Sequence, residues 1–270
     1  MPESGSKDDA RGAGGQGDGA RGAGGQEDGA RGAGGQGEGA MRDAAHWVRW
    51  HQTYEDPDSA LSLRLRLVQS EVREALDRQA PGPIAIVSMC AGQGRDVIDV
   101  VASHRRREDV RARLVERDPA LVAFARRRAA ACGVSRHVEV VEADASLVCS
   151  YAGFLPADLV LICGVFGNIG EGDIRGTVSR MPSFCAPGGT VIWTRHRRPP
   201  DLTSSVRGWF VHAGFEEVSF VAPPGTVLSV GCHRFVGGSA AAGSAAGGNS
   251  QDLDPDLRLF DFFGDGALPA

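Results

Sequence analysis

The segment SMCAGQGRD, which begins at Ser88, has the composition of a loop that brings backbone amides close to a ligand. It follows the apolar run 84–87, which is typical of a buried strand, and it leads into a helical pattern. Gly92 and Gly94 let the backbone approach a ligand, and the helix would direct its positive amino end to the same place. Ser88 and Cys90 stand where a nucleotide-binding loop usually has an acid and another glycine.

Two acidic residues follow at the spacing expected of a nucleotide site. Glu116 ends the second predicted strand, 22 residues after Gly94, where a carboxylate can accept hydrogen bonds from ribose hydroxyls. Asp144 ends the third predicted strand, where a carboxylate can receive an adenine amino group. A dinucleotide fingerprint needs a third glycine, and Val97 occupies that position, which counts against NAD.

The elements that must position these residues alternate regularly. Helices are predicted over 61–76, 95–106, 118–133, 171–185 and 201–215, where apolar residues recur at helical spacing or cap signals are present. Strands are predicted over 84–90, 112–117, 137–144, 157–164, 188–196, 216–223 and 226–235. This order predicts an α/β fold: a Rossmann-like, doubly wound, mostly parallel seven-stranded sheet with an antiparallel last strand and helices on both faces.

Five sequence motifs occur in an order that resembles the class I S-adenosylmethionine-dependent methyltransferases. They are VSMCAGQGRD, LVERDP, EADA, ADLVLICGVFGN and APGGTVIWTRH. The resemblance covers Ile84 to Phe235 and implies a methyltransferase domain over 83–237, with an N-terminal helical lid over 41–82. The implied cofactor is S-adenosyl-L-methionine, and the implied activity is methyl transfer.

The resemblance also implies a set of cofactor-binding residues. These are Ser88, Cys90, Ala91, Gly92, Gly94, Glu116, Arg117, Asp144, Ala145, Cys163, Gly164, Val165 and Tyr54. The two loop glycines line the methionine moiety, and Glu116 binds the ribose. Asp144 and the amide of Ala145 bind the adenine edge, which Arg117 flanks. Residues 163–165 run past the sulfonium, and Tyr54 contacts the methionine carboxylate.

The loop departs from the pattern of the family at two positions. The usual sequence is D/E-x-G-x-G-x-G, and here Ser88 replaces the acid and Cys90 replaces the first glycine. In the family that acid helps to hold the methionine amino group. Asp96 or a residue of the lid could take its place, so we expect a working cofactor loop of variant form.

The acceptor site is expected in the loops that follow the fourth and fifth strands. Its catalytic candidates are His196, Asn168 and Arg195. His196 could act as a general base, and Asn168 could orient the acceptor. Arg195, together with Arg197 and Arg198, could grip a carboxylate or phosphate. The alternative for the arginines is a solvated basic turn.

Further candidates near this site have structural alternatives. Phe166 could pack on an acceptor, and His51 is a second candidate base. Trp193 is expected in the core. Trp47 and Trp50 could either cover the cofactor or simply pack as an apolar pair. The sequence contains no metal-binding motif, so no metal is expected.

Composition limits the classes of partner. Residues 41–237 hold 24 arginines and 22 acidic residues, a difference of +2, so this region lacks the basic surface of a dedicated nucleic-acid binder. The six cysteines form no CxxC pair, which is typical of reduced thiols in the cytoplasm. The chain has no pattern typical of a signal peptide or a membrane span. We expect a cytoplasmic protein that acts on a small molecule, with no membrane partner and no nucleic-acid acceptor.

Both ends of the chain have low-complexity composition. Residues 11–40 repeat with a period of ten, as RGAGGQGDGA, RGAGGQEDGA and RGAGGQGEGA, so 1–40 is expected to be a disordered tail. A Gly/Ser/Ala-rich stretch begins at 238, and 238–270 is expected to be a flexible C-terminal tail. Within that tail, the apolar residues of LDPDLRLFDFFGDG could instead dock on the domain or on a partner.

Three functions remain open from the sequence. The first is a methyltransferase that acts on oxygen or nitrogen of a small molecule. The second is an NAD(P)-dependent oxidoreductase with a Rossmann fold, which Val97 disfavours. The third is a non-catalytic binding or scaffold protein with the same fold, which Ser88 and Cys90 make conceivable. The sequence leaves the oligomeric state open.

Overall fold

The computed structural model describes Tyr54, residues 56–237 and residues 253–263. The predicted N-terminal tail lies outside the described residues, as do Trp47, Trp50 and His51 of the predicted lid. The Gly/Ser/Ala-rich stretch that begins at 238 also lies outside them.

The helices of the described residues agree in order with the prediction. They are α1 Ala60–Arg78, α2 Arg95–Ser103, α3 Pro119–Ala131, α4 Glu171–Phe184 and α5 Thr203–His212. In the described part of the chain, none of them is both long enough and apolar enough to cross a membrane. The helix starting signals behave as expected at α3, where Asp118 caps the helix by accepting hydrogen bonds from the amides of Ala120 and Leu121.

The strands form one seven-stranded sheet. They are β1 Ile84–Met89, β2 Val110–Glu116, β3 Val138–Glu142, β4 Ala157–Ile162, β5 Cys185–His196, β6 Phe215–Val221 and β7 Leu228–Phe235. The order across the sheet is β3-β2-β1-β4-β5-β7-β6. The first five strands pair in parallel, whereas β7 is antiparallel to both β5 and β6. The predicted fold class is confirmed.

Two hydrophobic layers cover the two faces of the sheet. One layer contains buried residues of α1, α2 and α3, and the other contains buried residues of α4 and α5. Because both faces are covered, the central strands are apolar along nearly their whole length, as in β4. Strand order reverses direction between β1 and β4, so the carboxyl ends of these two strands flank the crevice where such sheets bind ligands.

The structure differs from the expected flexible tail over residues 253–263. This segment packs on the α4 side of the sheet, where Leu259 and Phe260 are 3% and 1% exposed. Its backbone forms isolated antiparallel bridges between Arg258 and Leu147 and between Phe262 and Ile169. Burial of its apolar side chains compensates for the entropy lost when the segment is ordered.

Candidate functional site

The loop after β1 is a tight turn whose glycines are needed for its shape. Gly92 and Gly94 have φ angles of 56° and 66°, in the left-handed region that favours glycine. The Ala91 amide donates to the Val115 carbonyl at 2.9 Å, and the Gly94 amide donates to the Ala91 carbonyl at 2.8 Å. A Cβ atom at Gly94 would lie 2.7 Å from side chains of α2 and β2. The loop is therefore held close against both elements.

The two variant positions of this loop differ in their surroundings. Cys90 adopts a φ of 51°, which is uncommon for a residue with a side chain. Burial raises the pKa of its thiol, so this group is neutral. Ser88 lies in the middle of the sheet, 1% exposed, and its Oγ has no hydrogen-bond partner among the described residues. Ser88 thus brings no charge to the site.

Glu116, at the end of β2, connects the loop after β1 to the start of α3 through hydrogen bonds. One carboxylate oxygen accepts from the Gly92 amide at 2.8 Å, and the other accepts from the amides of Arg117 and Asp118 at 2.8 and 2.9 Å. A carboxylate has about four acceptor positions, so these amides leave room for a ligand hydroxyl. The Arg117 side chain is exposed beside it.

Asp144 follows β3 and is held on both carboxylate oxygens. Oδ1 accepts from the Ser146 amide and hydroxyl at 2.9 and 2.7 Å, and Oδ2 accepts from Nη1 of Arg258 at 3.2 Å. Partial burial raises the pKa of Asp144, but the Ser146 hydrogen bonds and the Arg258 charge outweigh burial and hold it below its usual range. Ala145 is buried, and its carbonyl accepts from the Tyr151 hydroxyl at 2.5 Å.

A charged cluster lies on the other side of the β1 loop, where α1 and α2 meet the end of β4. Asp96 lies in the first turn of α2, and burial raises its pKa to about 6 although the Arg64 charge lowers it. Arg64 of α1 donates to the Tyr54 hydroxyl at 3.3 Å, and its Nη1 would lie 3.8 Å from a Cβ atom at Gly164. The Arg95 guanidinium lies over the Tyr54 ring, 5.0 Å from its centroid. Predicted lid and loop residues therefore meet here.

Sequence reasoning missed Arg64, although a signal was present. Leu61, Leu65 and Val68 mark the apolar face of the predicted helix, and Arg64 lies on that face, three residues after Leu61 and four before Val68. A charged residue on a core-facing stripe has to reach a polar group or a ligand. Its direction toward the end of β4 depends on how α1 packs, which the sequence does not state.

The loop after β4 is organised by hydrogen bonds to its backbone. The Gly164 amide donates to the Thr194 hydroxyl at 2.9 Å, and the Asn168 side-chain amide donates to the Gly164 carbonyl at 2.7 Å. Asn168 therefore shapes the loop through its amide nitrogen. Burial raises the pKa of the Cys163 thiol, so this group is neutral at the loop entrance.

The two residues that follow Gly164 in the sequence belong to the hydrophobic core. Val165 and Phe166 are fully buried, and the Phe166 ring packs against Trp193 at a centroid distance of 6.1 Å. The prediction that Trp193 is a core residue is confirmed. The prediction that Phe166 packs on an acceptor is wrong, because its ring is enclosed by protein.

Arg195, near the end of β5, and Arg197, just after it, contact the protein backbone, which differs from the prediction that they grip an anion. Arg195 is 8% exposed, and it donates to the Phe166 carbonyl. Its Nε has no hydrogen-bond partner among the described residues. Arg197 donates to the Thr226 carbonyl at 2.6 Å and supports the turn between β6 and β7. Arg198 is exposed. Backbone carbonyls engage the guanidinium groups of Arg195 and Arg197.

His196 lies at the carboxyl end of β5, beside the loop after β4. A Cβ atom at Gly167 would be 3.2 Å from its ring carbon Cδ2. Burial and the charges of Arg195 and Arg198 lower the pKa of His196, which favours the neutral imidazole. Its Nδ1 has no partner among the described residues. This Nδ1 is enclosed by protein, so an acceptor would have to reach Nε2, where a neutral imidazole can also accept a proton.

Comparison with solved structures finds the same fold in proteins described as methyltransferases and in one described as possibly exported. Magnesium protoporphyrin IX methyltransferase from Synechocystis, solved with bound S-adenosylmethionine, aligns with a TM-score of 0.57 at 13% identity, over 76% of this chain and 99% of its own. An O-methyltransferase family protein from Burkholderia thailandensis aligns with a TM-score of 0.50 at 14% identity, over 74% and 72%. A possible exported protein from Bordetella parapertussis aligns with a TM-score of 0.54 at 17% identity, over 70% and 79%.

These likenesses and the strand order show that the chain has the fold of the class I S-adenosylmethionine-dependent methyltransferases. The expected fold resemblance is confirmed. No family model matches the chain, and no curated protein matches it. At these low identities the likeness establishes the fold and not the chemistry of the site.

Proposed function

We propose that this protein is an S-adenosylmethionine-dependent methyltransferase that methylates oxygen or nitrogen of a small molecule. One observation carries the proposal. Carboxylates at the ends of β2 and β3 lie on one side of the β1 loop, and Tyr54, Arg64 and Asp96 lie on the other. This order of groups matches a ligand with a nucleoside at one end and an amino acid at the other.

The nucleoside end is assigned to Glu116 and Asp144. Glu116 accepts hydrogen bonds from the ribose hydroxyls. If both hydroxyls bind, one of the hydrogen bonds that Glu116 now accepts from backbone amides would lengthen. Asp144 accepts from the adenine amino group, next to the Ala145 amide. The exposed Arg117 flanks the base. Both carboxylates are already oriented by hydrogen bonds, which reduces the entropy lost on binding.

The amino-acid end is assigned to the charged cluster. Asp96 takes the place of the acid that Ser88 replaces, and it binds the ligand ammonium group. Arg64 binds the ligand carboxylate, with Tyr54 beside it. The backbone at Gly92 and Gly94 leaves room for the methionine chain. An acid for the ligand ammonium group and a guanidinium for its carboxylate would allow the variant loop to bind the amino-acid end of the cofactor.

S-adenosylmethionine supplies an electrophilic methyl group on a sulfonium. Around that position the chain provides Cys163 as a neutral thiol and Gly164 as a residue without a side chain. His196 holds a neutral imidazole that can accept the proton of an acceptor hydroxyl or amine. Asn168 fixes the loop that faces the acceptor. The main task of these residues is alignment of the acceptor and exclusion of water.

The two alternative functions are less well supported. Val97, at the third position of a dinucleotide fingerprint, is fully buried on α2, and a valine there separates helix and strand more than glycine would. The scaffold function would need no proton acceptor beside the loop after β4, whereas the neutral imidazole of His196 lies there.

Label transfer tests the proposed activity and its acceptor class. The protein is incubated with methyl-labelled S-adenosylmethionine and, separately, with a small-molecule extract, total RNA and a protein mixture. We expect label in small molecules, and loss of that label in Glu116→Ala. Label in RNA or protein would contradict the acceptor class. A protein that binds the cofactor but labels none of the pools would favour the scaffold function.

A further inference from the structure

The C-terminal segment 253–263 crosses the sheet edge that carries the candidate site. The Leu259 amide donates to the Ser146 carbonyl at 2.8 Å, next to the end of β3. The Phe263 amide donates to the Asn168 carbonyl at 3.0 Å, in the loop after β4. The segment therefore joins the loop beside the nucleoside end to the loop beside the acceptor end.

The segment is anchored in the core, so its position at this edge is fixed. Phe260 is 1% exposed, and the Thr177 hydroxyl of α4 donates to the Leu259 carbonyl at 3.0 Å. Such burial makes undocking costly, because the apolar surface would return to water. Its side chains can therefore hold other groups in place.

Arg258 is the residue of this segment that faces the nucleoside end. Its Nη1 donates to Asp144 Oδ2 at 3.2 Å and to the Ser146 hydroxyl at 2.6 Å, and it lies 3.5 Å from Asp261. Ser146 in turn donates to the other oxygen of Asp144. Arg258 and Ser146 thus fix the plane of the Asp144 carboxylate from both sides.

We propose that Arg258 is a positioning residue that orients the Asp144 carboxylate for selection of adenine over a 6-oxopurine. This inference rests on the proposed function. A carboxylate oxygen keeps a second acceptor position while it binds one guanidinium hydrogen. That position attracts an amino group at purine position 6 and repels a carbonyl oxygen. Without Arg258, the carboxylate could rotate away from the base, and the selectivity would fall.

The test compares S-adenosylhomocysteine with S-inosylhomocysteine, which differs by a carbonyl at purine position 6. Their Kd values are measured by titration calorimetry for the wild type, Arg258→Met and Arg258→Lys. The matched control is Arg234→Met, because Arg234 has the same side-chain exposure of 46% and pairs with Glu216 away from the site. Thermal unfolding of each variant confirms that it is folded.

We expect wild type to prefer S-adenosylhomocysteine by about tenfold or more, as for one charge-assisted hydrogen bond. In Arg258→Met this ratio falls severalfold because only S-adenosylhomocysteine binds more weakly. Arg258→Lys keeps part of the ratio, and Arg234→Met keeps all of it.

An unchanged ratio in Arg258→Met overturns the inference, whether both ligands weaken equally or neither does. Tighter binding of S-adenosylhomocysteine in Arg258→Met also overturns it, since Arg258 would then block Asp144. Failure of the proposed function is distinct, because wild type would then bind neither compound.

Discussion

The pKa values of Asp96 and Asp144, two carboxylates of the candidate site, are shifted in opposite directions. Burial raises the pKa of Asp96 to about 6, whereas hydrogen bonds and a nearby guanidinium lower the pKa of Asp144. A buried carboxylate with an elevated pKa is poised to receive a ligand cation. Ser88 replaces the acid that is usual in the loop, and Asp96 on the neighbouring helix α2 supplies a carboxylate nearby.

This assignment predicts pH-dependent binding. Above pH 6 Asp96 is ionised and binds the ligand ammonium; below pH 6 it is protonated, and affinity for S-adenosylhomocysteine should fall by up to about tenfold per pH unit. Calorimetry from pH 5 to 8 measures this dependence. Asp96→Asn should bind weakly with a flatter profile, and the exposed Asp109→Asn should behave as wild type. A wild-type profile in Asp96→Asn would exclude Asp96 from the methionine end.

At the scale of elements, burial of the Phe260 ring holds the C-terminal segment 253–263 against the rest of the fold. Phe260→Ala removes a side chain that is 1% exposed and should reduce the free energy of unfolding by about 3–5 kcal/mol. Phe262→Ala is the control, because Phe262 is 45% exposed and contributes mainly an edge contact with Phe260, worth about 1 kcal/mol. Denaturant unfolding measures both. Equal, small losses would mean that the segment does not pack in solution.

The elements that could be predicted from the sequence are those with a local signal. Continuous apolar runs and helix caps predicted the strands and helices in the correct order, although β5 begins at Cys185, directly after α4, rather than at 188. The docked C-terminal segment could not be predicted, because its burial depends on a groove formed by distant residues such as Thr177 and Ser146.

The residues of the candidate site also divide into those with a local sequence signal and those whose positions depend on tertiary contacts. Glu116 and Asp144 were predictable because parallel strands bring their carboxyl ends to one edge. Arg64 and Arg258 come from elements packed across that edge, so their positions depend on tertiary contacts. Arg195 is predicted to face a ligand because it lies near the carboxyl end of a strand, but its side chain points into the protein, toward the Phe166 carbonyl.

At the scale of the whole molecule, the site lies where three parts of the chain converge. The sheet supplies the loops, α1 supplies a cation at one end, and the C-terminal segment supplies a cation at the other. Since Arg64 and Arg258 belong to segments on opposite faces of the sheet, ligand binding should link those faces. We therefore expect one elongated ligand, S-adenosylmethionine, to fit across this edge.

The most direct measurement is calorimetric titration of the protein with S-adenosylmethionine, S-adenosylhomocysteine and NAD in parallel. We expect micromolar binding of both sulfur compounds and none of NAD. Glu116→Ala should weaken binding at least tenfold by removing the ribose acceptor, whereas Glu142→Ala should not, since Glu142 is the exposed neighbour of Glu116 on β3. Absence of binding by both sulfur compounds, or binding of NAD alone, would contradict the account.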